Sequence, residues 1–382
     1  MRPLLALASL GVLAGIPGSL GAQSSQFGTR GFGLPLRPIS VRAAGTGGSF
    51  GLFDGESALN PASFGLSSRV NATFQTVQTW TSAENPIGTA STRDNRFPGF
   101  SVTAPVGGVP LVLSISASGY TDRNFALASR DTLILRDEPV EVLDTIRSFG
   151  GISDIRAAVA WRQSPQVQWG LGLHLLTGSN RINSHRVFSD TTFTGATEIN
   201  TLSYLSYGVS VGITVRPVSP LTLAGMVRVD DEMRVERDTT PLGTVRLPMT
   251  LAGGGRLQLG ARMLVAGSAQ YRNWSRSEPD LLALGGVGSR NTLEWNAGFE
   301  FTPDPARPGN VPLRFGVYRA ELPFAIQTGI VGAETGVSAG SAVEFAAGRA
   351  RADLTLTRAW RSGGGGFSER AILLNAGVSI RP

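Results

Sequence analysis

From Arg69 to its end the chain repeats one pattern, apolar and polar residues alternating with period two along segments divided by turn residues. In "QVQWGLGLHLL", Val167, Trp169, Leu171, Leu173 and Leu175 share one face, and Gln166, Gln168, Gly170, Gly172 and His174 share the other. In "PLTLAGMVRVDDEMRVE", one face holds Leu221, Leu223, Val227, Val229, Met233 and Val235. Its other face holds Thr222, Ala224, Arg228, Asp230, Glu232, Arg234 and Glu236. One face suits lipid and the other water. Strands of soluble sheets usually run about five or six residues, whereas a tilted strand crossing a bilayer needs about 9 to 11. The segments here are of the longer kind, so the expected fold class is all-β, a transmembrane antiparallel β-barrel.

Strands are expected near residues 69–82, 98–105, 110–121, 151–163, 166–178, 202–216, 220–236, 246–258, 261–275, 290–303, 312–320, 335–347, 350–360 and 369–381. That is about fourteen, an even number, as closure of a single-chain bacterial barrel requires. Short links follow the even strands ("VGGVP", "SPQ", "PVSP", "LG", "GRA") and long ones follow the odd strands, among them 83–97, 122–150, 179–201, 276–289 and 321–334. Short periplasmic turns alternating with long extracellular loops give this phase and place both termini on the periplasmic side. Trp161 and Trp169 then fall near the periplasmic ends, and Trp80, Trp274, Trp295 and Trp360 near the outer ends, as two aromatic girdles would. Arg358 shares the apolar phase with Leu354 and Leu356, beside Trp360 at the strand end, where it can snorkel to the interface.

Composition agrees: 49 glycines, 22 prolines and only 16% charged residues do not suit a helical protein of this length. Cysteine is absent, which removes disulfides and thiolate metal sites. The net charge of +6 comes wholly from arginine, a residue suited to phosphate contacts, so outer-membrane lipid and lipopolysaccharide are expected partners. The start, "MRPLLALASLGVLAGIPGSLGAQ", reads as a secretory signal peptide over residues 1–22, cleaved near Ala22. Its apolar run is too short to span a bilayer, and Pro17 and Gly18 close it. Residues 23–68 do not alternate and precede the wall at 69–382. Their glycines suit a segment packed tightly inside a narrow lumen, with Asn60-Pro61 fixing a turn.

No enzyme is indicated, and no cofactor or nucleic-acid partner is expected. His174 on a polar face and His185 in a long link have no metal-ligand spacing, and both read as solvated residues. No nucleophile, base and orienting partner are singled out. "GTGG" at Gly45–Gly48 lacks the Lys-Ser/Thr ending of a phosphate loop. Arg228, Asp230, Glu232, Arg234 and Glu236 are the lumen-facing charged candidates; a selectivity ring and a plain wetted wall both fit the pattern.

The stretch "SVRAAGTGGSFGLFDGESALNPASFGL" resembles the N-terminal signature of the FadL-type outer-membrane transport proteins and their PorV-like relatives. The matching positions are Ala44, Gly45, Gly47, Gly48, Ser49 and Phe50, then Ser57, Ala58, Asn60, Pro61 and Ala62. "GGISDIRAAVAWR", "LPMTLAGGGRL", "AQYRNWSR", and "NTLEWNAGFEFTPD" followed by "VPLRFGVYRAELPF" are similar to later strands of that family, in the same order. The resemblance covers nearly all of the mature chain. It implies a monomeric fourteen-stranded barrel in the bacterial outer membrane with residues 23–68 as a plug or hatch. Ala44, Gly45, Gly47, Gly48, Ser49, Phe50, Asn60, Pro61 and Ala62 would then gate or touch a ligand. FadL-type members pass hydrophobic molecules such as long-chain fatty acids through the lumen and sideways out of the wall. PorV-like members instead assist a protein secretion system, so a hydrophobic small molecule and a secretion-system protein are the alternative partners. The chain departs from the family in ending "VSIRP" instead of on an aromatic residue.

Overall fold

A computed structural model of the chain describes residues 25–86, 88–304, 311–326 and 331–382. The expected signal peptide, 1–22, and the first two residues of the 23–68 segment lie outside them. Among the described residues eighteen strands form one sheet, and fourteen of these close into a ring. The ring strands are β1 (Asn71–Asn85), β2 (Gly88–Pro105), β3 (Leu111–Asp122), β4 (Glu138–Arg162), β5 (Val167–Phe188), β6 (Ala196–Val218) and β7 (Leu221–Asp230). They continue with β8 (Thr250–Leu259), β9 (Met263–Arg272), β10 (Thr292–Phe301), β11 (Leu313–Glu321), β12 (Ala333–Phe345), β13 (Ala350–Ser362) and β14 (Ser368–Ile380). Every neighbouring pair is antiparallel, and β14 closes on β1 from Ser368↔Glu84 to Ile380↔Ala72. Closure leaves no bare sheet edge at membrane depth, where an unpaired amide or carbonyl would find no water.

The alternation sets which residues face lipid. On β5, Trp169, Leu171 and Leu173 are exposed on the outside, while Gln168 and His174 are buried inside. All fourteen expected strands are present, but several run farther outward than the alternation showed. The link expected at 83–97 is a hairpin of β1 and β2, paired as far as Asn85↔Gly88. Much of 122–150 is strand as well, Phe125–Leu135 pairing with the outer part of β4. β4 and β5 remain paired out to Val142↔Phe188. Beyond the hydrocarbon both faces of a strand meet water, so period two fades from the sequence while the backbone ladder continues.

The strand expected over 220–236 breaks at Asp231 and Glu232. The odd offset inverts the phase, so Met233 and Val235 turn inward and are buried while Glu232, Arg234 and Glu236 are exposed. These three are therefore not lumen residues; Arg228 and Asp230, below the break, are buried. Met233–Arg237 pairs with β6 and with Thr240–Val245. The inner side of that hairpin joins Phe32, Ile152, Leu176, Tyr204, Trp274 and Phe324 in an apolar cluster at the outer end of the barrel. Trp274 is thus only 1% exposed and does not belong to the outer girdle, whereas Trp80, Trp295 and Trp360 do face outward. Trp161 and Trp169, opposite each other on β4 and β5, face outward near the other end. Arg358 also faces outward, its guanidinium 5.9 Å from the Trp360 ring centre.

The described chain does not begin at the end of the barrel where the alternation of links places both termini. Gln26 bonds to the carbonyls of Glu84 and Ser368, at the outer ends of β1 and β14, so the described chain begins at the outer mouth. Arg381, at the opposite end of the barrel, donates its amide to the Arg349 carbonyl in the β12–β13 turn.

Candidate functional site

From the outer mouth, residues 25–68 descend against inward-facing wall residues. At the top, the Glu369 carboxylate accepts the Ser25 hydroxyl at 2.8 Å and the Gln26 amide at 2.6 Å. Leu34 and Pro35 then pair with Asp122 and Thr121 of β3. Ser40 caps a short helix, α1 (Val41–Gly45), by accepting the Ala43 amide at 3.0 Å, and donates its own hydroxyl to Asp54 at 2.6 Å. Such a cap explains why this glycine- and alanine-rich stretch forms a helical turn instead of a strand.

Below α1 the backbone itself approaches the wall. Gly47 has φ +68°, and a Cβ there would lie 2.7 Å from the Val317 amide nitrogen, so glycine is required on both counts. The wall answers with glycines of its own. A Cβ on Gly316 would lie 2.0 Å from the Thr46 carbonyl carbon, on Gly170 2.1 Å from that of Pro61, and on Gly212 1.9 Å from the Asn60 side-chain oxygen. Asn60 forms its turn by accepting the Ala62 amide at 2.9 Å and donates to the Leu52 carbonyl at 3.0 Å. Sequence reading missed Gly212 and Gly316 and took Gly170 only as part of a polar face. The available signal was glycine recurring on the inward phase of strands whose outward phase is fully apolar.

Charge pins the segment at several heights. Arg37 meets Glu294 at 2.8 Å, Arg42 meets Glu300 through two nitrogens, and Glu56 meets Arg351 at 3.0 Å. Glu300 is shared with Arg314 at 2.6 Å, which also holds Asp353 at 2.6 Å, so segment and wall form one buried network. Arg314→Met takes two charged hydrogen bonds from this network but leaves Glu300 with Arg42 and Asp353 with Arg351, so it is expected to lower the unfolding free energy by about 1.5–3 kcal/mol, read by urea titration in micelles.

Above α1 the lumen is open. A cavity of about 350 Å³ is bounded below by Leu36, Arg37, Ile39 and Ala44 and at the sides by Val77, Ile152, Tyr318 and Leu373. Its charged lining is paired: Arg37 with Glu294, Arg96 with Asp122 at 2.7 Å, Arg361 with Glu334 and Glu369. The cavity reaches the wall at one place. β2 and β3 are laddered only from Gly99↔Ser118 toward the periplasm, while β2 remains paired with β1 much farther out. Arg96 and Phe97 on one side of this parting, and Thr121 and Asn124 on the other, all line the cavity. Two local features coincide there: a bulge in the β1–β2 register between Gln75 and Val77, and Pro98, which has no amide hydrogen to give a ladder. Phe97 itself faces outward, 69% exposed, 5.5 Å from the Phe74 ring. Farther out, a second cavity of about 360 Å³ lies between Gly88–Thr92 and Phe125–Ala128.

No family model matches the chain, and no curated protein matches it in sequence. Solved structures do match. A FadL homologue of Pseudomonas aeruginosa superposes with a TM-score of 0.63 at 12% identity, over 91% of this chain and 99% of that one. The toluene transporter TbuX of Ralstonia pickettii matches with a TM-score of 0.59 at 13% identity, again over 91% and 99%. The P. putida toluene transporter TodX gives 0.57 at 12% identity over the same shares. The chain has the FadL-type fold.

Within this FadL-type barrel the nine segment residues expected at a site divide by position. Ala44 lines the cavity. Gly45, Gly47 and Gly48 allow close packing against Arg314, Val317 and Arg37. Phe50 and Ser49 are buried, Phe50 in a cluster with Ala43, Leu52, Phe53 and Met226. Asn60, Pro61 and Ala62 rest on Gly170 and Gly212, away from the cavity. His174, expected to be solvated, is 4% exposed and fully engaged. Its Nδ1 lies 2.9 Å from Asp154 and its Nε2 2.8 Å from the Ser210 hydroxyl, the connectivity of an acyl-transfer triad. Asp154 is simultaneously paired with Arg228 at 2.6 Å, and Arg228 with Asp230 at 2.8 Å. Ser210 is 1% exposed, and the cavity described above extends along β4 only to Ser153. The set ties four wall strands together, so a polar inward face that looked merely wet is a hydrogen-bonded network.

Proposed function

We propose that the chain is a passive outer-membrane channel for hydrophobic small molecules, in which residues 25–68 act as a plug. The observation that carries this reading is the cavity above α1, lined jointly by segment and wall and continuous with the parting of β2 from β3. A ligand enters past the apolar cluster at the outer mouth, rests in the cavity and leaves sideways between β2 and β3, reaching hydrocarbon without crossing the charged network below. No covalent chemistry is involved. A volume of about 350 Å³ is at the small end of ligand pockets, which favours compact molecules such as alkylbenzenes over an extended long-chain fatty acid. The toluene transporters among the structural neighbours support the same substrate class. A secretion partner of the PorV type would need no such cavity.

Uptake of radiolabelled toluene and of palmitate is the test, in cells whose own hydrocarbon channels are deleted and which express the chain in the outer membrane. Toluene entry is expected to accelerate severalfold and palmitate entry much less. Toluene rates indistinguishable from cells carrying an empty vector would sink the proposal.

A further inference from the structure

Two adjacent rows of the outward surface carry charge on one side of the barrel only. Both can be followed strand by strand. In the first, Arg319 pairs with Thr335, Thr335 with Trp360, and Trp360 with Arg370. In the second, two residues nearer the periplasm on β13, Arg358 pairs with Ile372, Ile372 with Trp80, and Trp80 with Arg93. Between β10 and β2 neither row contains an acidic residue. Followed the other way, from β10 to β5, the same two rows contain no charged residue at all and are largely glycine, alanine and aliphatic. Four guanidinium groups therefore stand together in two rows that hold no carboxylate; the next row outward holds Glu321 and Glu84, one at each end.

Their surroundings are built to hold them at the interface. Arg358 lies over Trp360 with its charge 5.9 Å from the ring centre, and Arg93 lies over Trp80 at 5.7 Å. Aromatic rings on the outward face mark headgroup level, and long arginine stems lie along apolar wall while the charge stays in the polar layer. Arg319 and Arg370 are three strands apart, as are Arg358 and Arg93, which spaces each pair by about 14 Å at the usual distance between strands. Glu321, two residues beyond Arg319, is engaged with the Leu293 amide at 2.9 Å. Guanidinium groups with no carboxylate in their rows, facing a lipid headgroup layer, are complementary to phosphate, which arginine can grip through two nitrogens.

We propose that the β11–β2 face is a binding site for a phosphorylated glycolipid of the outer leaflet, with Arg319, Arg358, Arg370 and Arg93 as its phosphate ligands. The site rests on the outer-membrane placement proposed above, and it borders the parting of β2 from β3, since Arg93 stands four residues outward of Phe97 on the same strand. A glycolipid held there forms a fixed rim to one side of the lateral opening.

The test is native mass spectrometry of the purified full chain in detergent with added hexa-acylated diphosphoryl lipid A. Wild-type protein should retain the lipid, and the same lipid stripped of its phosphates should be lost. Each interfacial arginine strengthens anionic-lipid binding about fivefold, so replacing all four by glutamine should weaken retention by several hundredfold. The control Arg147→Gln/Arg181→Gln, on the outer extensions, should leave it unchanged. If the quadruple variant does not fold, as judged by heat-modified gel mobility, Arg358→Gln/Arg370→Gln carries the test with a smaller loss. Retention at wild-type level by the folded variants, or equally tight binding of phosphatidylglycerol or phosphate-free lipid A, would overturn the proposal. Lipid retention is read without any transport assay, so its failure and failure of toluene uptake are separate results.

Discussion

Replacing Gly316 by valine is expected to unseat the lumen segment and turn a sealed barrel into a leaking one. A Cβ at this position would stand 2.0 Å from the Thr46 carbonyl carbon and 2.2 Å from the Gly47 nitrogen, both backbone atoms with no rotamer to give way. Relief requires the turn after α1 to leave the wall. With it go the Gly47 amide bond to Ser338 and the fit of Arg42 against Glu300. Overpacking of this kind costs about 1–3 kcal/mol, which a barrel held by fourteen ladders survives, so the damage should be local. Planar-bilayer recordings of Gly316→Val are expected to show ion conductance steps that the wild type lacks. Trypsin should also gain access to Arg37 and Arg42. Gly107→Val is the control, since nothing lies within 4 Å of a Cβ at that turn. A Gly316→Val barrel as tight and as protease-resistant as wild type would show that the segment is not what seals the lumen.

The second large effect concerns the sideways exit. Because the chain has no cysteine, a single pair can be introduced without background. Thr92 and Ala126 line the same cavity from opposite sides of the parting, one on β2 and the other on Phe125–Leu135. Bridging Thr92→Cys/Ala126→Cys with a short bifunctional maleimide is expected to cut toluene uptake by about tenfold or more, as obstruction of a single narrow path should. The same double variant capped with a monofunctional maleimide should transport normally. Undiminished uptake through the bridged protein would move the exit elsewhere, with the outer-mouth cavity still in place.

The wall was largely legible in the sequence, because a lipid face and a lumen face impose alternation and because turn length alternates with strand parity. Legibility failed where those two pressures lapse. The outer parts of β4, β5 and β6 meet water on both faces and leave no period to read. At Asp231 and Glu232 the backbone steps out of the ladder, and everything after it inverts, so Met233 and Val235, read as lipid-facing, cap the lumen instead. His174 read as solvated because its partners Asp154 and Ser210 are 20 and 36 residues away and only the register brings them together. That residues 23–68 are not wall was legible from their lack of alternation, but the direction in which they run was not, since nothing local distinguishes a segment running toward the outer mouth from one running away from it.

That direction bears on the order of assembly. The described chain starts at Glu369 near the outer end of β14 and passes down the inside before turning into β1 at the periplasmic end. The last ladder to form in the order of synthesis, β14 on β1, consists of thirteen residue pairs, and it encloses a segment bonded to both of its strands, to β14 at Glu369 and, through Glu56, at Ser379, and to β1 at the Glu84 carbonyl through Gln26. A closed ring offers the segment only a passage upward from the periplasm past residues that grip it at every height. Closing the seam over a segment already laid in place avoids that passage, so the first residues of the wall's own chain serve as the core around which it shuts. Refolding of a barrel lacking residues 25–67, with the segment supplied afterwards as a peptide, is accordingly a different and slower reaction from refolding the intact chain.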